Sequence, residues 1–258
     1  MNTKTLSTRA LSVIDQYLHF RVGNAECSVP YFNNKTVRAR AALRSTIGKG
    51  SPQEIFEELK SLLVKGHVDE LLVTNDLLKK TLTDNNIGID CSAFAYYVLN
   101  AESVESKKGN LDKHIHFINC HGLIGKMRCA LRPIENCDVA TFVHDKNSKK
   151  ISIKDILPGD IITMICGPVN SDRDHILVIN QVEYQNFIPI KIHYTHSVAY
   201  PEDGIYGTGI KEGTIEIVHT STPITEQLWT EGGKRGVENR LFIRAQKSTT
   251  ELRRLNFI

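Results

Sequence analysis

The residue of this chain best suited to covalent chemistry is Cys91. It follows Gly88-Ile89-Asp90 and opens the apolar run Ser92-Ala93-Phe94-Ala95-Tyr96-Tyr97-Val98-Leu99. Asp90 is a good N-cap, because its carboxylate can accept the N–H groups that a first helical turn leaves unpaired. The pattern therefore predicts a short helix with a cysteine in its first turn. There the helix macrodipole favours negative charge, which lowers a thiol's pKa and supplies thiolate near neutrality. The competing reading is a buried structural cysteine, since free cysteines are among the most buried residues.

A cysteine nucleophile needs a base for its proton and a third polar group to orient that base. Histidine suits the base because its pKa lies near neutrality. His175 opens the apolar run Ile176-Leu177-Val178-Ile179, and His196 lies across a hairpin in the run Ile190 to Ser197. Conventional pairing of that hairpin brings His196 within reach of His175. His193 competes for the orienting role, but strand alternation sends it to the opposite face from His196. Asp160 reads as a turn residue in Leu157-Pro158-Gly159-Asp160. Asp90, turned toward Cys91, would raise the thiol pKa and oppose catalysis.

Metal chemistry is the other possibility in the stretch that holds His114, His116, Cys120, His121, Cys129 and Cys137. The cysteine gaps of eight and seven residues do not match the close pairs of structural zinc sites. Core thiols and surface histidines are the expectation, with no metal and no organic cofactor.

The elements that must position these side chains lie in a chain of 258 residues, 41% hydrophobic and 24% charged, with a net charge of +3. That is the composition of an ordinary globular protein, and the charge implies no partner. Met1 to Phe20 lacks a signal peptide's continuous apolar core and reads as an amphipathic helix. No run approaches a membrane span. A cytoplasmic, reducing location with free cysteines is the default that follows, although an even count of six could hide a disulfide.

Ser51-Pro52-Gln53-Glu54 is a helix start with a capping box, and a second helix is expected over Asp69 to Leu82. Residues 1–82 thus read as a helical region, with Arg21 to Gly50 irregular. Glu102 to Lys113 reads as a loop. From Ile151 the period becomes that of strands: Ile161 to Cys166, Asp174 to Ile179, Ile190 to Ser197, Thr214 to His219 and Leu241 to Ile243. A helical half followed by short strands predicts an α+β fold with an antiparallel sheet or small barrel.

Between Cys27 and Gln53 stand Lys35, Arg38, Arg40, Arg44 and Lys49 and no acidic residue. With the basic stretch Lys234 to Arg254, they would carry a non-catalytic module for an anionic polymer. Few aromatics interleave with the charges, so a solvated face is preferred and nucleic acid is disfavoured. The Gly48-Lys49-Gly50-Ser51 run lacks the spacing of a phosphate loop.

Taken in order, GIDCSAFAYYVL, LPGDII, DHILVI and IHYTHS resemble the NlpC-type papain-like cysteine peptidases, a family of bacterial cell-wall endopeptidases. The resemblance covers roughly residues 83 to 220, with Ala93 where the family usually has glycine. It implies that residues 83–258 form a papain-like cysteine hydrolase domain, with Cys91 as nucleophile, His175 as base and His196 as orienting residue. It further implies amide-bond cleavage in a peptide or peptidoglycan fragment containing D-amino acids. An acyltransferase or transglutaminase-like enzyme on the same triad is the alternative. Delivery to the cell wall by a route other than a signal peptide is left open, and oligomeric state is not legible.

Overall fold

The computed structural model describes residues 2–33, 43–167 and 173–257. The chain opens with a strand, β1 (Asn2–Thr5), before the first helix, α1 (Thr8–Leu18), so the expected N-terminal helix is shorter than Met1 to Phe20. The four residues of β1 are exposed and carry no apolar alternation; only their pairing with a later strand defines them. A two-stranded hairpin follows, β2 (Phe20–Val22) with β3 (Ala25–Cys27), inside the stretch expected to be irregular. Residues 1–82 are therefore not wholly helical.

The expected capping box forms at α2 (Pro52–Lys65): Ser51 Oγ accepts from Glu54 N–H at 3.2 Å, and Glu54 Oε2 accepts from Ser51 N–H at 2.8 Å. Ile55, Leu59 and Leu63 form its buried stripe. Next comes α3 (Asn75–Asp84), which Thr74 caps and which begins later than Asp69 because a 3-10 turn occupies Glu70–Leu72. The Cys91 helix, α4 (Cys91–Glu105), runs past Leu99 into the stretch expected to be a loop. Most of its length is buried, which is why its sequence is apolar nearly all round. Two short helices follow, α5 (Gly122–Leu131) and α6 (Val139–Val143).

The remaining strands are β4 (Ser148–Lys150), β5 (Ile161–Ile165), β6 (His175–Gln185), β7 (Ile188–Val198), β8 (Gly209–Glu216), β9 (Leu228–Glu231), β10 (Lys234–Arg235) and, after α7 (Arg240–Lys247), β11 (Thr249–Leu255). The sheet order is β10-β9-β8-β7-β6-β5-β11-β4, antiparallel throughout, with β1 added beside the far half of β6. The fold is α+β with an antiparallel sheet, as the change of period predicts.

Leu241 to Ile243 is not a strand. Asn239 Oδ1 accepts from the N–H groups of Leu241 and Phe242, and Leu241 and Ala245, four apart, bury one helical face. The final strand is instead β11, whose basic residues hide it from a hydrophobic reading.

Alternation along the sheet makes two cores. Ile161, Ile176, Val178 and Ile210 pack with α1, α2 and α4, so residues from both sides of position 82 share one core. Ile162, Met164, Leu177, Ile179, Tyr194 and Trp229 pack with Leu241 and Ala245 of α7.

Candidate functional site

The N-terminus of α4 meets the start of β6. Asp90 caps the helix, its Oδ1 accepting from Ala93 N–H at 2.8 Å. Cys91 is 5% exposed, and its sulfur accepts the backbone N–H of Ile176, the residue after His175. The thiol thus lies against the chain at the point where the histidine is attached.

His175, the first residue of β6, is buried. Its Nε2 is 2.7 Å from Nδ1 of His196 on β7, with the rings in an edge-on arrangement. His196 is fully buried, and its Nε2 lies 2.7 Å from Oε2 of Glu231, the last residue of β9. Glu231 also accepts the Tyr200 hydroxyl at 2.8 Å and the Tyr194 hydroxyl at 3.2 Å. Sequence reasoning missed Glu231, which reaches His196 across the intervening strand β8. The register pairs Glu231 with Gly213 of β8, and a Cβ there would lie 2.2 Å from the Tyr194 hydroxyl oxygen. A glycine in a strand interior marks such a close approach and was the available signal. His193 is bound elsewhere, 2.6 Å from Glu183, and takes no part.

A second network surrounds Asp90. Lys49 Nζ donates to Ser92 Oγ at 2.8 Å and to the Cys137 carbonyl at 3.2 Å, and lies 2.9 Å from Asp90 Oδ2. Lys49 is buried, so it does not belong to a solvated basic face. Of the other residues in that stretch, Lys35, Arg38 and Arg40 lie outside the described residues, and Arg44 pairs with Glu54 and Glu135. In the C-terminal basic stretch Arg235 pairs with Glu216, Arg253 with Asp145 and Glu251, and Arg254 with Asp160. Asp160 is a turn residue as expected, accepting Leu157 N–H.

The electrostatics correct one expectation. Burial, and then the charge of Asp90, push the Cys91 thiol up to about 12, against the lowering effects of Arg244, Lys49 and the Ile176 N–H. Burial holds His175 well below the ordinary histidine range, with Arg244 and His196 adding to the effect. The resting pair is therefore a neutral thiol and a neutral imidazole, not the ionised sulfur that the helix dipole alone suggests. Burial works against the Glu231 carboxylate, but His196 and the Tyr200 hydroxyl, which donate to it, together with Lys211 hold it below the usual range. The Tyr31 hydroxyl is raised by burial and then by the charges of Cys91 and Asp90, which marks it as a neighbour of the thiol.

Cys91 opens on a cavity of about 970 Å³, whose wall includes Asn33, Lys49, Ser92, Asn119, Asp138 and Arg173. Among the described residues no group of three or more His, Cys, Asp or Glu side chains is arranged to hold a metal. Cys120 and Cys129 are joined in a disulfide, so they are not free thiols; four free cysteines remain, Cys27, Cys91, Cys137 and Cys166. The segment before α5 folds back against the helix at Gly125, which brings Cys120 to Cys129, a closeness that linear spacing does not display. No helix among the described residues is long and apolar enough to cross a membrane.

No protein-family model, curated protein or solved structure matches the chain.

Proposed function

We propose that the chain is a cysteine hydrolase of amide bonds, papain-like in arrangement, with Cys91 as nucleophile, His175 as base, His196 as orienting residue and Glu231 behind it. The observation that carries this reading is the buried relay from His175 through His196 to Glu231, two contacts of 2.7 Å each, beginning beside a helix-start thiol on a cavity. The substrate class is a short peptide containing D-amino acids, of the peptidoglycan type, and this part rests on the sequence resemblance.

The relay sets the tautomers. An ionised Glu231 only accepts, so His196 presents Nε2–H to it and keeps Nδ1 as an acceptor. His175 must then donate Nε2–H to His196, which leaves its Nδ1 lone pair for the thiol proton. Proton transfer from Cys91 to Nδ1 accompanies attack on the carbonyl carbon, forming the C–S bond. The imidazolium gains stability from the carboxylate two rings away. It then returns the proton to the leaving amine as the C–N bond breaks, and water hydrolyses the acyl-enzyme. The Cys91 N–H belongs to a helical turn whose donors have no intrahelical partner, so it suits the developing oxyanion, with the Tyr31 hydroxyl as a second donor.

Mass spectrometry of defined muropeptides incubated with the wild type and with Cys91→Ser tests the proposal. Cleavage by the wild type and none by the variant supports it; cleavage retained by Cys91→Ser overturns it. Adding amine acceptors reads transfer products, which would reassign the reaction to acyl transfer on the same residues.

A further inference from the structure

Helix α5 presents an apolar face to solvent. Leu123 is 80% exposed, Ile124 84%, Met127 61% and Leu131 71%. At about 100° per residue these four side chains span a continuous arc of about 100° on the helix. Gly125 and Cys129 fall on the opposite side, where Cys129 is buried and bonded to Cys120. The helix is thus held by its back, with its apolar stripe facing outward.

Cations flank that stripe. Lys126 lies beyond one edge of the arc and Arg128 beyond the other, both exposed. No acidic residue occurs from Lys113 to Arg132, a stretch that also contains His114, His116 and His121. We infer that α5 is an interfacial anchor that lays Leu123, Ile124, Met127 and Leu131 into an anionic lipid surface. Long cationic side chains on both borders can bury their stems and keep their charges at headgroup level. A second copy of the chain fits less well, because apposed α5 helices would bring Lys126 and Arg128 against the same charges.

The position of the helix gives the contact a consequence. Asn119 before α5 and Glu135 and Asn136 after it line the Cys91 cavity. Docking through α5 therefore engages the helix whose two flanking segments both contribute to the cavity wall. This inference does not depend on the proposed chemistry.

Sedimentation of the full chain, in non-reducing buffer, with phosphatidylcholine vesicles containing none or roughly one-third phosphatidylserine tests it. The wild type should bind the anionic vesicles. Ile124→Gln with Leu131→Gln should weaken that binding by about tenfold or more. Lys126→Glu with Arg128→Glu should abolish the preference for phosphatidylserine. The single change Ile124→Gln carries the same reading if the double variant folds poorly. Absence of vesicle binding, or binding unaffected by the apolar substitutions, overturns the inference. A vesicle-free dimer that these substitutions dissociate, without vesicle binding, assigns the face to a second copy instead.

Discussion

Replacing Lys49 with methionine tests the electrostatic frame of the site without assuming any activity. Lys49 and Asp90 face each other at 2.9 Å with side chains only 11% and 8% exposed. Methionine retains most of the apolar stem and removes the charge. Asp90 would keep its hydrogen bonds from Ser92 Oγ at 2.9 Å and Ala93 N–H at 2.8 Å, but its charge would stand uncompensated. Breaking a buried pair from one side costs about 3–5 kcal/mol. For a chain of this size each kcal/mol moves the melting temperature by about 2–4 °C. Thermal unfolding followed by circular dichroism should therefore show a fall of roughly 6–20 °C for Lys49→Met. Adding Asp90→Asn removes the stranded charge, retains an N-capping side chain and should restore most of the loss. A Lys49→Met protein that melts within about 2 °C of the wild type would refute the reasoning. So would a double variant no more stable than the single one.

Two further expectations concern proton linkage and the relay. The raised Cys91 thiol keeps its proton in the folded protein over roughly pH 9 to 12, where the unfolded chain has lost it. Stability therefore falls as pH rises through that window, and denaturant melts should show a shallower fall in Cys91→Ser; equal slopes would count against a buried neutral thiol. For Glu231, whose folded pKa is depressed below the ordinary value of 4.5, the contribution is present above that value and lost as pH falls through the folded pKa. Glu231→Gln should flatten the acid limb of stability and, if the relay sets the tautomer of His175, lower single-turnover rates by about 10²–10⁴. An unchanged rate would remove Glu231 from the proposed mechanism.

What the sequence disclosed here was local. The Cys91 helix declares itself through an aspartate cap and an unbroken apolar run, and β5, β6 and β7 through runs of β-branched residues. Contacts that depend on the sheet were hidden. Glu231 is 35 residues from His196 and joins it only because β8 places Gly213 between them. Lys49 looked like one more surface cation, since its partner Asp90 is 41 residues on and the pair forms only when α4 packs. The α7 segment misleads because three consecutive apolar residues fit a buried strand as well as a helix. Asn239 as cap and the Leu241–Ala245 spacing decide for the helix.

The same distinction governs the charge state of the thiol. A helix start lowers a cysteine's pKa when the sulfur stays partly solvated, but α4 carries Cys91 into the core with Asp90 beside it. Burial also depresses His175, so the proton prefers sulfur over nitrogen at rest. Moving that proton within the pair leaves the site's net charge unchanged, and the new thiolate is favoured by Arg244, Lys49 and the Ile176 N–H. The imidazolium is favoured by Glu231 through His196, at the end of two contacts of 2.7 Å. In the proposed mechanism, the groups that favour the ion pair are thus fixed beforehand by folding. A thiol whose pKa is raised by burial also forms little free thiolate for unwanted oxidation.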